Sequence, residues 1–97
     1  MIEERCRRET GLVYQVLIDD TTREVEGVVV ATAILPEDRE FLESNFKELT
    51  VWVTGSKLGV NKRGEEVFEL ALVKPKASLK ELKSKYKFEV PWRRSNK

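Results

Sequence analysis

The chain has 97 residues, the length of one small domain, with 18 Lys/Arg, 17 Asp/Glu and a formal net charge of +1. Histidine is absent and Cys6 is the only cysteine, which excludes an internal disulfide, a cysteine cluster for zinc and the commonest general base. No apolar run reaches the ~18 residues of a membrane span, and the charged first ten residues do not resemble a secretory signal. We therefore expect a cytoplasmic protein that does not contact a membrane, has no metal or cofactor and is not an enzyme.

The charge is distributed unevenly along the chain. Residues 1–48 hold six Lys/Arg and twelve Asp/Glu, whereas residues 49–97 hold twelve Lys/Arg and five Asp/Glu. This asymmetry predicts a charge dipole that favours nucleic acid on one side or head-to-tail association, unless the surface charges have no function. Abundant Lys, Arg and Glu with a single glutamine, Gln15, is a composition typical of a thermophile.

The first half of the chain predicts a β-hairpin followed by a helix. Residues 1–10 form either a loose N-terminal segment or a short edge strand. Leu12–Ile18 and Glu24–Ile34 are rich in β-branched residues and flank a turn signal at Asp19–Thr22, which predicts two antiparallel strands. Gly27, inside the second strand, indicates a bulge or a bend.

A helix is predicted to begin at Pro36, because proline suits the first helical position and two acidic residues follow it in the first turn. Its apolar residues recur at helical spacing, and we expect that stripe to pack in the core. The stripe consists of Phe41, Leu42, Phe46 and Leu49.

The segment Thr50–Pro75 predicts a second hairpin. Apolar and polar residues alternate on both sides of Gly59–Gly64, a loop whose Gly and Asn residues suit a chain reversal. The loop places three cations, Lys57, Lys62 and Arg63, at one exposed end of a sheet. This arrangement indicates a β-rich binding module rather than an enzyme.

A short helix is predicted over residues 78–87. Ser78 is the N-cap and Glu81 completes a capping box. Leu79, Leu82 and Tyr86 form one apolar face of a helix too short to be stable alone. The face either folds back on the sheet or meets a second copy or another subunit, and we predict the intersubunit contact. The basic tail, residues 91–97, is expected to be mobile.

The order of elements over residues 12–75 resembles an OB-fold that binds single-stranded nucleic acid. VYQVLIDD and EVEGVVVATAI correspond to strands two and three, PEDREFLESNF to the intervening helix, and VWVTGSKL and EEVFELALV to strands four and five. The following helix is similar to the carboxy-terminal helix of small replication protein A subunits, where that helix joins subunits. The predicted fold is mainly β with two helices: a small OB-like antiparallel barrel with a C-terminal helix. Since IEERCRRET has poor strand character, the alternative is a ββαββα sandwich with both helices on one face of an antiparallel sheet.

The resemblance implies a non-catalytic module for single-stranded DNA or RNA. Lys57, Lys62 and Arg63 would contact phosphate, and Tyr14 and Trp52 would stack on bases. Each residue also has a simpler interpretation: Tyr14 as core, the cations as a solvated loop, and Trp52 as covered by the last helix or by another subunit. The alternative function is a protein–protein interaction subunit that docks through Leu79, Leu82 and Tyr86, as a homodimer or with a different partner.

Overall fold

The structure is a computed structural model, and it describes residues 1–31 and 34–90; the predicted tail over residues 91–97 lies outside them. Five strands form one antiparallel sheet in the order β1-β2-β3-β5-β4. The elements are β1 (Ile2–Arg7), β2 (Leu12–Ile18), β3 (Val25–Ala31), α1 (Pro36–Asn45), β4 (Val51–Val60), β5 (Glu66–Val73) and α2 (Leu79–Tyr86).

The two helices cover opposite faces of the sheet. On one face, residues of β2, β3 and β5 pack with Leu42, Phe46 and Leu49 in and after α1. On the other face, Leu17, Val29, Ala71 and Val73 pack with Leu82 of α2 and with Phe88. The sheet is therefore the middle of three layers, and the expected core stripe of α1 is confirmed.

The prediction of a mainly β fold with two helices is confirmed. The layering corrects the two finer predictions, the OB-like barrel and the sandwich with both helices on one face. The sheet is open, with β1 and β4 as its edges, so the predicted closed barrel is not formed. A barrel buries one face of each strand, whereas Val28, Val29 and Val30 are all fully buried because a helical layer lies on each side. The alternative with both helices on one face is wrong for the same reason.

The helix boundaries follow the predicted signals. Pro36 occupies the start of α1, which ends where the Phe46 amide donates to the Leu42 carbonyl. At α2 the Ser78 hydroxyl oxygen accepts a hydrogen bond from the Glu81 amide at 3.1 Å, and the hydroxyl donates to the Glu81 carboxylate at 2.9 Å. Lys87, in the left-handed conformation with φ 52°, ends the helix.

The N-terminal segment forms a strand despite its poor strand composition. β1 pairs with β2 over all six of its residues, and Arg7 ties it to α1. The Arg7 guanidinium donates to the Asp38 carboxylate at 2.8 Å and lies 4.6 Å from the Phe41 ring centroid. The Thr10 hydroxyl donates to the same carboxylate at 2.6 Å. These contacts explain how so polar a sequence is held at the sheet.

The bulge indicated by Gly27 is present beside it. Leu17 pairs with Gly27 and Ile18 with Val25, so Glu26 is the extra residue on β3. A methyl group at Gly27 would lie 3.2 Å from the Leu82 side chain, so the glycine lets α2 approach the sheet closely. Neither helix, among the described residues, is long and apolar enough to cross a membrane.

Candidate functional site

The β4–β5 hairpin forms one end of the sheet, and its turn lies beyond residue 60. Among the described residues, β3 pairs with β5 from Gly27–Val73 to Ala31–Glu69, and β4 pairs with β5 as far as Val60 and Glu66. Along this length the β4–β5 register shifts twice, between Thr54 and Lys57 and again between Lys57 and Gly59. We call the part of the hairpin from Lys57 to Phe68, with its irregular edge strand β4, the arm.

The first register shift decides where Lys57 points. Trp52 pairs with Leu72, Thr54 with Leu70 and Lys57 with Phe68, and alternate residues of a strand share a face. Trp52, Thr54 and Lys57 consequently lie on the α1 side, although strict alternation along β4 would put Lys57 opposite Trp52. Lys57 is thus a strand residue and not, as predicted, a loop residue.

At the end of the arm, Asn61 organises the turn. Its side-chain oxygen accepts hydrogen bonds from the Arg63 and Glu65 amides at 2.9 and 3.0 Å. Gly64 has φ 82°, which a side chain would disfavour. Lys62 and Arg63 are both exposed on this turn. The two cations therefore project from a defined turn.

One cation of the arm, Lys57, has an acidic neighbour. Lys57 Nζ lies 2.7 Å from the Glu66 carboxylate, with about half of each side chain exposed. Such an exposed pair contributes on the order of 0–1 kcal/mol, so it does little to hold the Lys57 side chain in place.

Trp52 is half-buried and is covered in part by α1, on the face of the sheet opposite α2. Its indole N–H donates to the Glu43 carboxylate at 2.7 Å, and the Arg39 guanidinium lies 4.8 Å from the ring centroid. Because Arg39 and Glu43 stand one helical turn apart, they hold the indole between them. We call the line Arg39, Trp52, Thr54 and Lys57, continued by Lys62 and Arg63, the β4 strip.

Tyr14 belongs to the core and not to this strip. It is 6% exposed, and its ring makes edge-to-face contacts with Phe41 and Phe46 at centroid distances of 6.2 and 6.3 Å. The stacking role implied by the OB resemblance is therefore incorrect for Tyr14, because α1 covers its ring.

The predicted interface stripe of α2 folds back on the chain's own sheet. Leu82 is 6% exposed, and Leu79 and Tyr86 are partly buried against the same cluster. Of the two alternatives given above, the packing of this stripe against its own sheet is present, and it removes Leu82 and part of Leu79 and Tyr86 from water.

The sequence did not reveal a charged cluster that fastens α2 to the β2–β3 turn. Lys85 Nζ lies 2.7 Å from the Asp19 carboxylate and 2.8 Å from that of Glu26, and the Tyr86 hydroxyl donates to Glu26. The bulge indicated by Gly27 was the available signal, because a bulge bends its strand and can turn the Glu26 carboxylate toward the helix. We call these four residues the α2 clasp.

The clasp shifts the pKa of each member. The Lys85 hydrogen bond, followed by the Thr22 and Thr21 amides, holds the pKa of Asp19 far below its usual value. Hydrogen bonds from Lys85 and Tyr86 lower the pKa of Glu26. Those to Asp19 and Glu26 raise the pKa of Lys85, while burial and Glu26 raise the pKa of Tyr86 to about 12. All four groups keep their usual charge near neutral pH, so the clasp is structural.

A cleft of about 440 Å³ beside the clasp is lined by residues that include Asp20, Thr21 and Lys85. A second cleft, of about 420 Å³, lies between β4 and α2 around Glu69. Burial raises the pKa of the Glu69 carboxyl, but the hydrogen bonds from Lys83 and the Ser56 amide offset this, and the net pKa is lowered. Glu69 is therefore a charged acceptor that fixes the bulged part of β4 to α2.

These contacts also account for part of the charge asymmetry. Lys85 and Lys74 from the basic half pair with Asp19, Glu26 and Glu24 from the acidic half, Lys74 to Glu24 at 3.8 Å. Opposite charges separated in the sequence thus meet in the folded chain, and this part of the asymmetry is neutralised within the fold.

Within residues 1–31 and 34–90, no group of three or more Cys, Asp or Glu side chains is arranged to hold a metal ion. The chain matches no protein-family model, no curated protein and no solved structure. The functional argument therefore rests on the side chains of the β4 strip.

Proposed function

We propose that the protein is a non-catalytic, cytoplasmic nucleic-acid-binding module that holds single-stranded DNA or RNA along the β4 strip. The observation that carries the proposal is the register shift that aligns Lys57 with Trp52 on one face of an edge strand. An aromatic ring followed by cations along one line suits a single strand, which offers both unstacked bases and a phosphate backbone. The strand order and the helix between β3 and β4 are compatible with an OB-like relationship, although the sheet is open.

The length of the strip suits an extended ligand. Trp52 and Val60 pair with Leu72 and Glu66, which are six positions apart on β5, so the two β4 residues are separated by roughly 20 Å at 3.3 Å per strand residue. A base would stack on Trp52 beside Arg39, and the backbone would run past Lys57 toward Lys62 and Arg63. In this arrangement phosphate displaces Glu66 from Lys57.

The first experiment removes the three cations of the arm. We expect Lys57→Ala/Lys62→Ala/Arg63→Ala to weaken binding of a labelled oligothymidine and to reduce the log–log salt slope by roughly 0.7 for each lost phosphate contact. The matched control, Arg8→Ala/Lys47→Ala/Lys80→Ala, removes the same charge from exposed residues elsewhere. Equal weakening by both variants, or none by the first, would contradict the site.

The second experiment tests the ring. Trp52→Ala is expected to lose on the order of 1–3 kcal/mol of binding free energy at a temperature where the variant remains folded. Oligonucleotide should quench Trp52 fluorescence in a Trp92→Phe background. Unchanged fluorescence at saturation would remove Trp52 from the site, and stronger binding to duplex than to single-stranded DNA or RNA would contradict the ligand class.

A further inference from the structure

The two edges of the sheet differ in how well they could pair with another strand. Edge strand β4 is interrupted by two register shifts, a feature that blunts edges in natural sheets. Edge strand β1 pairs with β2 over six residues without a register shift, and its sequence, IEERCR, contains no proline. The regular edge, β1, is therefore the one able to accept a further strand.

Hydrogen bonds at the start of β1 show which of its groups face outward. The Met1 amine nitrogen donates to the Ile18 carbonyl and the Ile18 amide to the Met1 carbonyl, both at 2.8 Å. Met1 and Ile18 are thus a hydrogen-bonded pair, and such pairs alternate along an antiparallel ladder. The backbone groups of Glu3, Arg5 and Arg7 consequently point to β2, whereas those of Ile2, Glu4 and Cys6 point away from the sheet.

We propose that β1 pairs antiparallel with β1 of a second copy of this chain, about a two-fold axis at Glu4, to form one continuous sheet. In this register Glu4 meets its counterpart and Ile2 meets Cys6, so every outward residue exchanges both backbone hydrogen bonds. An axis at Glu3 or Arg5 would leave Cys6 or Ile2 without a partner inside β1.

The side chains agree with the same register. On the α1 side, Glu3 of each copy lies opposite Arg5 of the other; these residues are 44% and 42% exposed and already pair within one chain. On the other side Ile2, which is 37% exposed, lies opposite Cys6. Cross-strand pairs of opposite charge and of apolar side chains stabilise sheets, against which stands one like-charge contact between the two Glu4 side chains.

The symmetry limits the assembly to a dimer. A two-fold contact uses the same edge on both copies and leaves no regular edge for a third chain. The β4 strip lies on the opposite edge of each sheet, so the pairing leaves it uncovered and does not depend on the proposed nucleic-acid binding.

Disulfide trapping tests the register. In a Cys6→Ser background, Glu3→Cys and Arg5→Cys chains are mixed and oxidised; facing non-hydrogen-bonded residues have Cα atoms ~4.5 Å apart, within disulfide range. We expect the mixed disulfide to form faster than either homodimer, since position 3 of one copy faces position 5 of the other and the two cysteines face each other only in the mixed dimer. The Ser84→Cys variant, exposed on α2, gives the collisional rate. A mixed disulfide no faster than this control, or a faster Glu3 or Arg5 homodimer, would overturn the register.

Sedimentation equilibrium at micromolar concentration tests the dimer itself. We expect the wild type to dimerise and Glu4→Pro to be monomeric with its far-ultraviolet circular dichroism retained, because the lost amide points away from β2. The Glu4→Ala control should still dimerise. A wild-type monomer at all concentrations, a dimeric Glu4→Pro variant, or open-ended oligomers formed by pairing β1 with β4, would overturn the proposal.

Discussion

Tyr14 lies between two phenylalanines of the α1 layer, and its contacts predict its role. Tyr14→Ala should remove both edge-to-face contacts and leave a cavity, at a cost of about 3–5 kcal/mol of unfolding free energy. Tyr14→Phe keeps the ring and should stay close to wild type. Urea unfolding of the two variants measures the difference. An Ala variant of unchanged stability would show that the ring is not part of the core.

Lys57 shows why the position of a residue in the sequence is an unreliable guide to which side of an irregular strand it occupies. It is five residues after Trp52, and period-two alternation assigns the two side chains to opposite faces. One extra residue between Thr54 and Lys57 reverses that assignment. The shift depends on contacts with β5, Glu69 and α2, which are distant in the sequence.

At the scale of elements, Gly55 lets α2 pack closely against β4. A methyl group at Gly55 would lie 2.5 Å from both the Glu69 carboxylate and the Leu79 side chain. Both neighbours are restrained, because Glu69 binds Lys83 and the Ser56 amide and Leu79 packs on the sheet. Gly55→Ala should therefore cost about 1–3 kcal/mol of unfolding free energy, as overpacking does.

Gly64→Ala is the control for that change. A methyl group at Gly64 would have no atom within 4 Å, so the only cost is the backbone φ of 82°. That conformation costs roughly 1–2 kcal/mol for a residue with a side chain. Amide hydrogen exchange should show faster exchange in α2 for Gly55→Ala and only in the hairpin turn for Gly64→Ala. Unchanged amide exchange in α2 of Gly55→Ala would contradict a role for Gly55 in the packing of α2 on β4.

At the scale of the whole molecule, the α2 clasp links the acidic half to the basic half and predicts how stability depends on pH. The pKa values of Asp19 and Glu26 are lowered by folding, so their contribution is present above their unfolded pKa of about 4 and is lost as pH falls. The pKa values of Lys85 and Tyr86 are raised, so their contribution is present below about pH 10 and is lost as pH rises.

Melting temperature against pH should therefore show a plateau between about pH 5 and pH 9, with a decline on both sides. Lys85→Met should lower the plateau and flatten the acid decline, because Lys85 is the largest cause of the shifts at Asp19 and Glu26. On the alkaline side it should remove the contribution of Lys85 and leave that of Tyr86, whose pKa is raised mainly by burial and Glu26. Lys80→Met, at an exposed position of the same helix, should retain the wild-type profile. Parallel profiles for the wild type and Lys85→Met would contradict the clasp.

Local signals in the sequence predicted most elements of the fold. The strand patterns around Asp19–Thr22, proline at the start of α1 and the Ser78–Glu81 cap act within a few residues, so they could be read without the structure. β1 could not, because its polar residues become a strand through pairing with β2 and through Arg7 binding Asp38. Of the candidate site, Lys62 and Arg63 were placed on the turn correctly, whereas Lys57 lies in a strand and Tyr14 lies in the core.

The sequence by itself determined that the chain is mainly β with two helices, where α1 and α2 begin, and which stripes on them are apolar, since propensity, capping and periodicity are local properties. Only the tertiary structure decided that the helices cover opposite faces, that the sheet stays open and that Leu79, Leu82 and Tyr86 pack on their own chain. It also decided that Lys57 shares a face with Trp52 and that Lys85 meets Asp19 and Glu26. These outcomes depend on strand register and on which buried face each helix meets, and both are set by contacts between residues far apart in the chain.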